Sequence, residues 1–262
     1  MLALLLLFRY FIPGITIDYA VIALGISWLL CSLSSLLAAF FTHERHIFKS
    51  KPAYNARLWL SNAYPFLVNT LVLSTLSAGT LILLEVLHVS GSEIGIYAAA
   101  SRTAVLLIVL MNQGDRFYLP QISIAIYNGN TDEINRILRT RFKALGLLSI
   151  LFLIPIIFFG KNILGLFGEG FSKGYHILLI FSVGMTIDTL GGISLGILQV
   201  LGKNSLSLRI SLFILIANIG LNILFVPIWG LEAAVILVNT SLAAVNIFSA
   251  IYLLRYHGIR VI

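Results

Sequence analysis

The segment from Leu206 to Leu254 reads LSLRISLFILIANIGLNILFVPIWGLEAAVILVNTSLAAVNIFSAIYLL, and it decides the fold class. Two apolar runs, Leu206–Val226 and Leu231–Leu254, are separated only by Pro-Ile-Trp-Gly. A bilayer core of about 30 Å needs about 20 mostly apolar residues in one helix, so each run is long enough to cross a membrane. The segment therefore predicts two transmembrane helices joined by a short connection.

Further apolar runs of similar length lie before this pair. They predict spans at Ile17–Phe41, Leu60–Leu84, Ile94–Ala125, Phe142–Phe159 and Tyr175–Gln199. The run Leu2–Ile12 is too short to span and ends at Pro13-Gly14, so we interpret it as the tail of a helix. A secretory signal peptide is the alternative, but no basic segment precedes this run. The pattern predicts an all-α polytopic membrane protein with seven complete spans.

Composition excludes most other classes of protein. Of 262 residues, 59% are hydrophobic and 10% are charged, against about 25% charged in soluble domains. A mean hydropathy of +1.02 excludes cytosolic enzymes, disulfide-rich secreted modules and disordered tails. Cys31 is the single cysteine and permits no internal disulfide. His43-Glu44-Arg45-His46 has its second histidine at i+3, whereas the zinc-protease pattern needs i+4, and no phosphate-binding glycine loop or nucleophile elbow occurs. No metal, cofactor or enzymatic chemistry is predicted.

The basic residues predict the orientation of the chain. The net charge is +7, and twelve of the 17 cations fall in alternate connections or at the C-terminus. These twelve are Arg45, Lys49, Lys51, Arg57, Arg136, Arg139, Arg141, Lys143, Lys203, Arg209, Arg255 and Arg260. Cytoplasmic loops of membrane proteins carry the excess of lysine and arginine, so this side is predicted to be cytoplasmic, together with the C-terminus. No loop is large enough for a nucleic-acid-binding module, and we predict no nucleic-acid partner.

Polar residues within the spans suggest an anion-binding face. A central arginine costs roughly 2.5–3.5 kcal/mol on insertion scales, so it should face protein or water. Arg102, Gln113 and Arg116 fall within about 60° of arc on one helix, and the two arginines are about 21 Å apart along its axis. A guanidinium binds phosphate through two parallel hydrogen bonds. We therefore predict a substrate-binding role for these three residues and for Asn62 and Asn69. The alternative is that the arginines extend to the two membrane interfaces.

Other buried polar residues predict a wetted cavity and a site for ion coupling. Asp188 lies near the middle of its span, where it could carry a proton, balance an arginine or serve as a hydrogen-bonded structural residue. Asp115 projects away from Arg102 and is expected to pair on a neighbouring helix or to reach the cytoplasmic interface. Asn218 and Asn222 share one helix face, and with Gln199 they are predicted to line the cavity. The alternative is that such residues join helices through hydrogen bonds.

Several segments, in their order and spacing, resemble polysaccharide exporters. They include Ile94–Arg102 (IGIYAAASR), Leu119–Ile122 (LPQI), Leu166–Gly168 (LFG), Gln199–Lys203 (QVLGK) and Val226–Ala234 (VPIWGLEAA). The chain resembles the oligosaccharide and O-antigen flippase family over about residues 55–254. That family belongs to the superfamily that includes MATE exporters and lipid II flippases.

The resemblance implies a two-lobe transporter with six helices in each lobe. It implies a central cavity that opens to either side in turn and moves polyprenyl-diphosphate-linked oligosaccharide across the bacterial inner membrane. The implied partners are this lipid-linked oligosaccharide, membrane lipids, and the glycan polymerase and glycosyltransferases of cell-envelope polysaccharide and lipopolysaccharide synthesis. We expect residues 60–262 to form one lobe, 42–59 a basic cytoplasmic loop and 1–41 the remnant of an N-terminally truncated lobe. A MATE-like cation antiporter and a non-transporting membrane scaffold or assembly subunit remain alternatives.

Overall fold

The fold is built from helices. A computed structural model describes residues 17–41, 54–168 and 170–261. Within these residues the regular structure is α-helical, with a single 3-10 turn and no strand. The helices are α1 Ile17–Phe41, α2 Ala56–Val86, α3 Gly91–Tyr127, α4 Thr131–Gly165, α5 Tyr175–Gly191, α6 Ile193–Val200 and α7 Asn204–His257, and the 3-10 turn Phe171–Gly174 precedes α5.

The chain divides into two compact units, Met1–Ala56 and Arg57–Ile262. Helix α1 belongs to the first unit, and its bounds are those of the predicted first span. The predicted fragment Leu2–Ile12 and most of the predicted basic loop, 42–53, lie outside the described residues. The assignment of residues 1–41 to the remnant of a lobe and of residues 42–59 to a basic cytoplasmic loop therefore stays a prediction.

The second unit contains helices long and apolar enough to cross a membrane. Among the described residues these segments are Trp59–Val86, Thr131–Gly165, Phe171–Val200 and Asn204–His257. Helix α7 has 54 residues, or about 80 Å, which is enough for two crossings of a core of about 30 Å. Its backbone leaves the helical conformation at Gly230, where φ is 61° and ψ is −144°. Glycine adopts this left-handed region without strain, so the break falls inside the predicted connection between the two runs. The chain is an all-α polytopic membrane protein.

Helices α3 and α4 both begin at a residue whose side chain caps the first turn. Ser90 caps α3, because its hydroxyl accepts from the Glu93 N–H and the Glu93 carboxylate accepts from the Ser90 N–H, both at 3.3 Å. Asn130 caps α4 by accepting from the Glu133 N–H at 3.1 Å. Acidic residues in the first turn favour the positive end of the helix dipole. Helix α4 thus begins eleven residues before the predicted span at Phe142 and carries Arg136 to Lys143 inside it.

A single predicted span is broken into α5 and α6 at Gly191-Gly192. The Gly192 N–H donates to the Thr189 carbonyl at 3.3 Å, and the Ser194 hydroxyl donates to the Gly191 carbonyl at 2.7 Å. A Cβ atom at Gly192 would lie 3.1 Å from the Asp188 carbonyl oxygen, so the tight turn favours glycine. The break lies in the middle of the bundle and close to several polar side chains.

The core of the second unit consists of two main apolar clusters at different depths. One surrounds Tyr97, Phe181 and Ala234 and joins α3, α5 and the second half of α7. The other surrounds Ile122 and Leu138 and joins α3, α4, α6, the end of α7 and the tail that follows it. The helices therefore pack around the break between α5 and α6 from both sides.

Candidate functional site

A partly polar cavity of about 320 Å³ lies between α2, α3, α5 and the second half of α7. Its apolar wall is formed mainly by Phe181, Met185 and Val105. Its polar lining consists of Ser77, Tyr97, Ser101, Arg102 and Asn239. The cavity thus combines an apolar wall with hydroxyl, amide and guanidinium groups.

Arg102 supplies the charge of this cavity. Its side chain is exposed and forms no ion pair with any residue that the structure describes. Arg102 therefore lines a cavity, and its predicted substrate role stays a prediction. A guanidinium in this position has its N–H donors free for a ligand.

Asn239 supplies an acceptor in the same cavity. Its side-chain amide nitrogen donates to the Ile180 carbonyl at 3.0 Å, while its oxygen Oδ1 is buried and accepts no hydrogen bond within the described chain. The contact between α5 and α7 is close here, because a Cβ atom at Gly184 would overlap the Asn239 side chain. The free Oδ1 can accept from a hydroxyl or amide of a ligand. The sequence analysis did not single out Asn239, although it shares a seven-residue stripe with Glu232 and Asn246.

Gln113 and Arg116 do not line the Arg102 cavity. Both side chains are exposed on α3, and Arg116 has no ion pair among the described residues. Helical geometry places them on the same side as Arg102, but more than ten residues farther along the axis. The structure therefore separates the three predicted residues by depth.

Of the two predicted asparagines of α2, Asn69 does not line this cavity. Asn69 is 1% exposed, and neither polar atom of its side chain has a partner within the described residues. The side chain of Asn62 lies outside the part of the chain that the structure describes. Near Asn69, Leu73 and Leu76 pack against Ile214 of α7. Asn69 is thus buried in the contact region of α2, and a direct substrate role for it stays a prediction.

The structure gives Asn218 and Asn222 a different environment from the predicted cavity. The Asn218 amide donates to the Leu237 carbonyl at 3.1 Å and to the Ser241 hydroxyl at 2.9 Å. The Asn222 amide donates to the Asn218 carbonyl at 2.8 Å, and both asparagines are buried. The Asn218 hydrogen bonds join the two halves of α7, whereas the Asn222 hydrogen bond lies within the first half. The alternative reading, in which polar residues hold helices together, is the one that this geometry supports.

Gln199 lines a separate, open cavity of about 570 Å³ near the end of α6. Trp59 and Phe66 of α2 and Leu119 of α3 line the same cavity. Gln199 therefore shares no cavity with Arg102, and its predicted role in lining the transport cavity stays a prediction.

The bundle contains a buried ion pair between Arg141 and Asp115, which the sequence analysis did not predict. Arg141 was assigned to the cation-rich loop, but its side chain is 1% exposed inside α4. Its Nε donates to the Asp115 carboxylate at 2.6 Å, its Nη1 to the Leu190 carbonyl at 2.9 Å and its Nη2 to the Thr189 carbonyl at 2.8 Å. Asp115 thus pairs on a neighbouring helix, as expected. The assignment of Arg141 to the loop is corrected.

The signal for this burial is present in the helical spacing of α4. Ile134, Leu138, Arg141 and Leu145 follow one another at steps of three or four residues, and all four are buried. An arginine on an apolar stripe needs a buried partner, because an unpaired charge there is costly. Asp115 and the carbonyls at the break between α5 and α6 fulfil that need.

Asp188 lies one turn before the same break. Its carboxylate accepts from the Asn246 amide at 2.7 Å, and the remaining Asn246 oxygen is buried without a partner in the described chain. The hydrogen bond fits the structural alternative, and the predicted coupling role stays a prediction.

The chain is similar to a curated flippase. It is 26% identical to the probable flippase AglR of Haloferax volcanii over 164 residues, which are 62% of this chain and 34% of that protein. No family model matches the sequence, and no solved structure matches it. The matched region therefore spans about a third of the relative's length.

Proposed function

We propose that this protein is a flippase that moves polyprenyl-diphosphate-linked oligosaccharide across a membrane for surface polysaccharide synthesis. The observation that carries this proposal is the placement of Arg102, without an ionic partner among the described residues, at a partly polar cavity in a membrane-spanning bundle. The similarity to a probable flippase supports the same class of function.

The cavity chemistry fits an anionic head group that bears hydroxyls. Arg102 offers parallel N–H donors that match the geometry of a diphosphate. The Asn239 Oδ1 atom offers an acceptor for a sugar hydroxyl, and the Ser77 and Ser101 hydroxyls add further polar contacts. The apolar wall at Phe181 suits the less polar faces of the ligand.

Arg116 provides a second cationic position along the same helix, and Gln113 lies near it on the same face. They lie on the Arg102 side of α3, and the two arginines are about 21 Å apart along its axis. In the proposed cycle, a head group that crosses the bilayer meets one arginine and then the other. Each arginine lowers the electrostatic cost of an anion at its own depth.

The proposed transporter has two six-helix lobes, of which residues 60–262 form one. Arg102 lies on the surface that faces the second lobe in this arrangement, with Asn69 and Gln199 as supporting polar residues. Asp188 is the proposed coupling residue, the C-terminus is cytoplasmic, and the membrane is the bacterial inner membrane. Lipid-linked oligosaccharide is the substrate, the polymerase and glycosyltransferases of the same pathway are the partners, and no cofactor is required.

Transport of a fluorescent polyprenyl-diphosphate oligosaccharide in reconstituted vesicles tests the proposal. Arg102→Ala and Arg116→Ala should each lower the initial rate about tenfold or more, because each removes a charge-assisted contact with the head group. The matched control is Lys173→Ala, which removes an exposed cation from the 3-10 turn, outside the cavity. Wild-type rates from both arginine variants, at equal protein levels, would refute the substrate role.

A cation antiporter is the second candidate, because Asp188 and Asn246 form a carboxylate–amide pair within a span. Uptake of a small cationic dye against a proton or sodium gradient separates the two functions. A flippase should show no such uptake, whereas an antiporter should lose it in Asp188→Asn. A scaffold should show neither uptake nor glycan transport.

A further inference from the structure

An apolar groove runs along the second half of α7 toward the cation-rich end of the bundle. It comprises two adjoining cavities of about 210 and 320 Å³, which share the lining residues Ile247 and Ala250. The inner cavity reaches Gly191 at the break between α5 and α6, and the outer cavity reaches Arg260. None of the groove residues lines the Arg102 cavity. The groove is therefore a separate feature of the molecule.

The dimensions of the groove match a lipid chain. From Asn246 to Leu254 the groove follows α7 for about 12 Å along the helix axis. Half of a bilayer hydrocarbon core is about 15 Å thick, so the groove spans most of one leaflet. Its lining is almost entirely aliphatic or aromatic. Phe142 of α4 lines the inner cavity, and Ile251 of α7 lines the outer cavity.

The outer end of the groove is held in place and carries positive charge. The Arg260 N–H donates to the Asn135 side-chain oxygen at 2.8 Å, and the flanking Ile259 and Val261 are buried. The tail that carries Arg260 is thus fixed against α4, while the Arg260 side chain is exposed. No ion pair within the described residues neutralises it.

A second arginine lies on the same face of α4. Asn135, Arg139 and Phe142 follow at i, i+4 and i+7, so they share one side of the helix. Asn135 holds the Arg260 backbone, and Phe142 lines the inner part of the groove. Arg139 lies between these two positions, is exposed and has no ion pair in the described chain. Two arginines therefore lie at the polar end of an apolar groove.

We propose that this groove binds an anionic glycerophospholipid, with one acyl chain along Ile247 and Ala250 and the phosphate at Arg139 and Arg260. The charge complementarity selects this occupant, because two free guanidiniums at the mouth favour a head group with net negative charge. Basic pockets between helices at the cytoplasmic side of membrane proteins attract anionic lipids in this way. The site is distinct from the proposed transport cavity, and its occupant is a resident lipid of the bilayer.

Native mass spectrometry of the full chain, delipidated in detergent, tests the proposal with two probes of identical acyl chains. Dioleoylphosphatidylglycerol should bind more tightly than dioleoylphosphatidylcholine. Arg139→Gln and Arg260→Gln should each weaken phosphatidylglycerol binding about fivefold, and the double variant about 25-fold. Lys173→Gln, at an exposed cation outside the groove, is the matched control and should bind as the wild type does.

A groove-filling variant keeps the test decisive if the double arginine variant does not fold. Ile247 is 51% exposed, so Ile247→Trp can fill the groove with little effect on the core. It should abolish phosphatidylglycerol binding while both arginines remain. Equal affinity for the two lipids, wild-type affinity in the double variant or in Ile247→Trp, or a second copy of the chain found in place of lipid would each overturn the proposal. The assay involves no transport, so its outcome is independent of the proposed flippase activity.

Discussion

Replacing Arg141 with methionine should destabilise the bundle strongly, because this side chain satisfies three acceptors at once. Each of its three nitrogens donates a hydrogen bond, one to the Asp115 carboxylate and one each to the Thr189 and Leu190 carbonyls. Breaking a buried ion pair by removal of one partner costs about 3–5 kcal/mol. The Asp115 side chain keeps 25% exposure, so water can solvate part of its charge. We therefore expect a loss of about 3 kcal/mol in the free energy of unfolding, at the lower end of that range.

The thermodynamic cycle with Asp115→Leu separates the ion pair from the packing of the arginine. The double variant leaves no unpaired charge, so it should recover about 2 kcal/mol of the loss. The remaining loss of about 1 kcal/mol reflects the two carbonyls that no longer receive a hydrogen bond from Arg141. Unfolding by SDS titration of the purified protein in mild detergent measures all three variants. Arg136→Met, at an exposed position of the same helix, is the control and should stay within about 0.5 kcal/mol of the wild type. A loss below about 1 kcal/mol for Arg141→Met, or a double variant as unstable as the single one, would refute this reasoning.

Three further predictions concern single side chains or glycines. Asp188→Asn should weaken the dependence of glycan transport on an ion gradient in vesicles, and an unchanged dependence would return Asp188 to a structural role. Gly184→Ala should lower the free energy of unfolding by about 1–3 kcal/mol in the same SDS titration, because the added Cβ would overlap Asn239; wild-type stability would show that the contact relaxes freely. Gly230→Ala should cost about 1–2 kcal/mol because of its positive φ, whereas Gly220→Ala, in open helical surroundings, should be neutral or slightly stabilising; equal effects at both glycines would contradict the strain argument.

The helices could be predicted from sequence because length and hydropathy constrain membrane spans tightly. The predicted first span, Ile17–Phe41, has the bounds of α1, and the predicted connection after Val226 contains the backbone break at Gly230. The start of α4 was harder to predict, since its first four turns carry four cations that a count of loop charges places outside the span. Helical structure continues through that region because Asn130 caps the helix and the apolar stripe begins at Ile134.

The environment of the polar residues could be predicted only in part. The angular position of Asn218 and Asn222 on one face is a property of their own helix, and it does not tell whether that face meets water or another helix. The partners of Asn218, which are Leu237 and Ser241, lie 19 and 23 residues later, on the returning half of α7. Only tertiary packing brings these groups together, so the sequence predicted a cavity and left helix contact open as the alternative.

The contrast between Arg102 and Arg141 gives a physical criterion for sorting arginines within the bundle. All three nitrogens of Arg141 already donate to protein acceptors, and its charge is matched by Asp115, so this arginine has little capacity for a ligand. Arg102 lies beside a cavity, has no ionic partner in the described chain and keeps its donors available. An unmatched guanidinium inside a membrane-spanning bundle carries a free-energy cost that an anionic ligand can offset. Because the protein offsets that cost at Arg141 and leaves it at Arg102, we propose ligand binding for Arg102, whereas Arg141 joins α4 to α3 and to the break between α5 and α6.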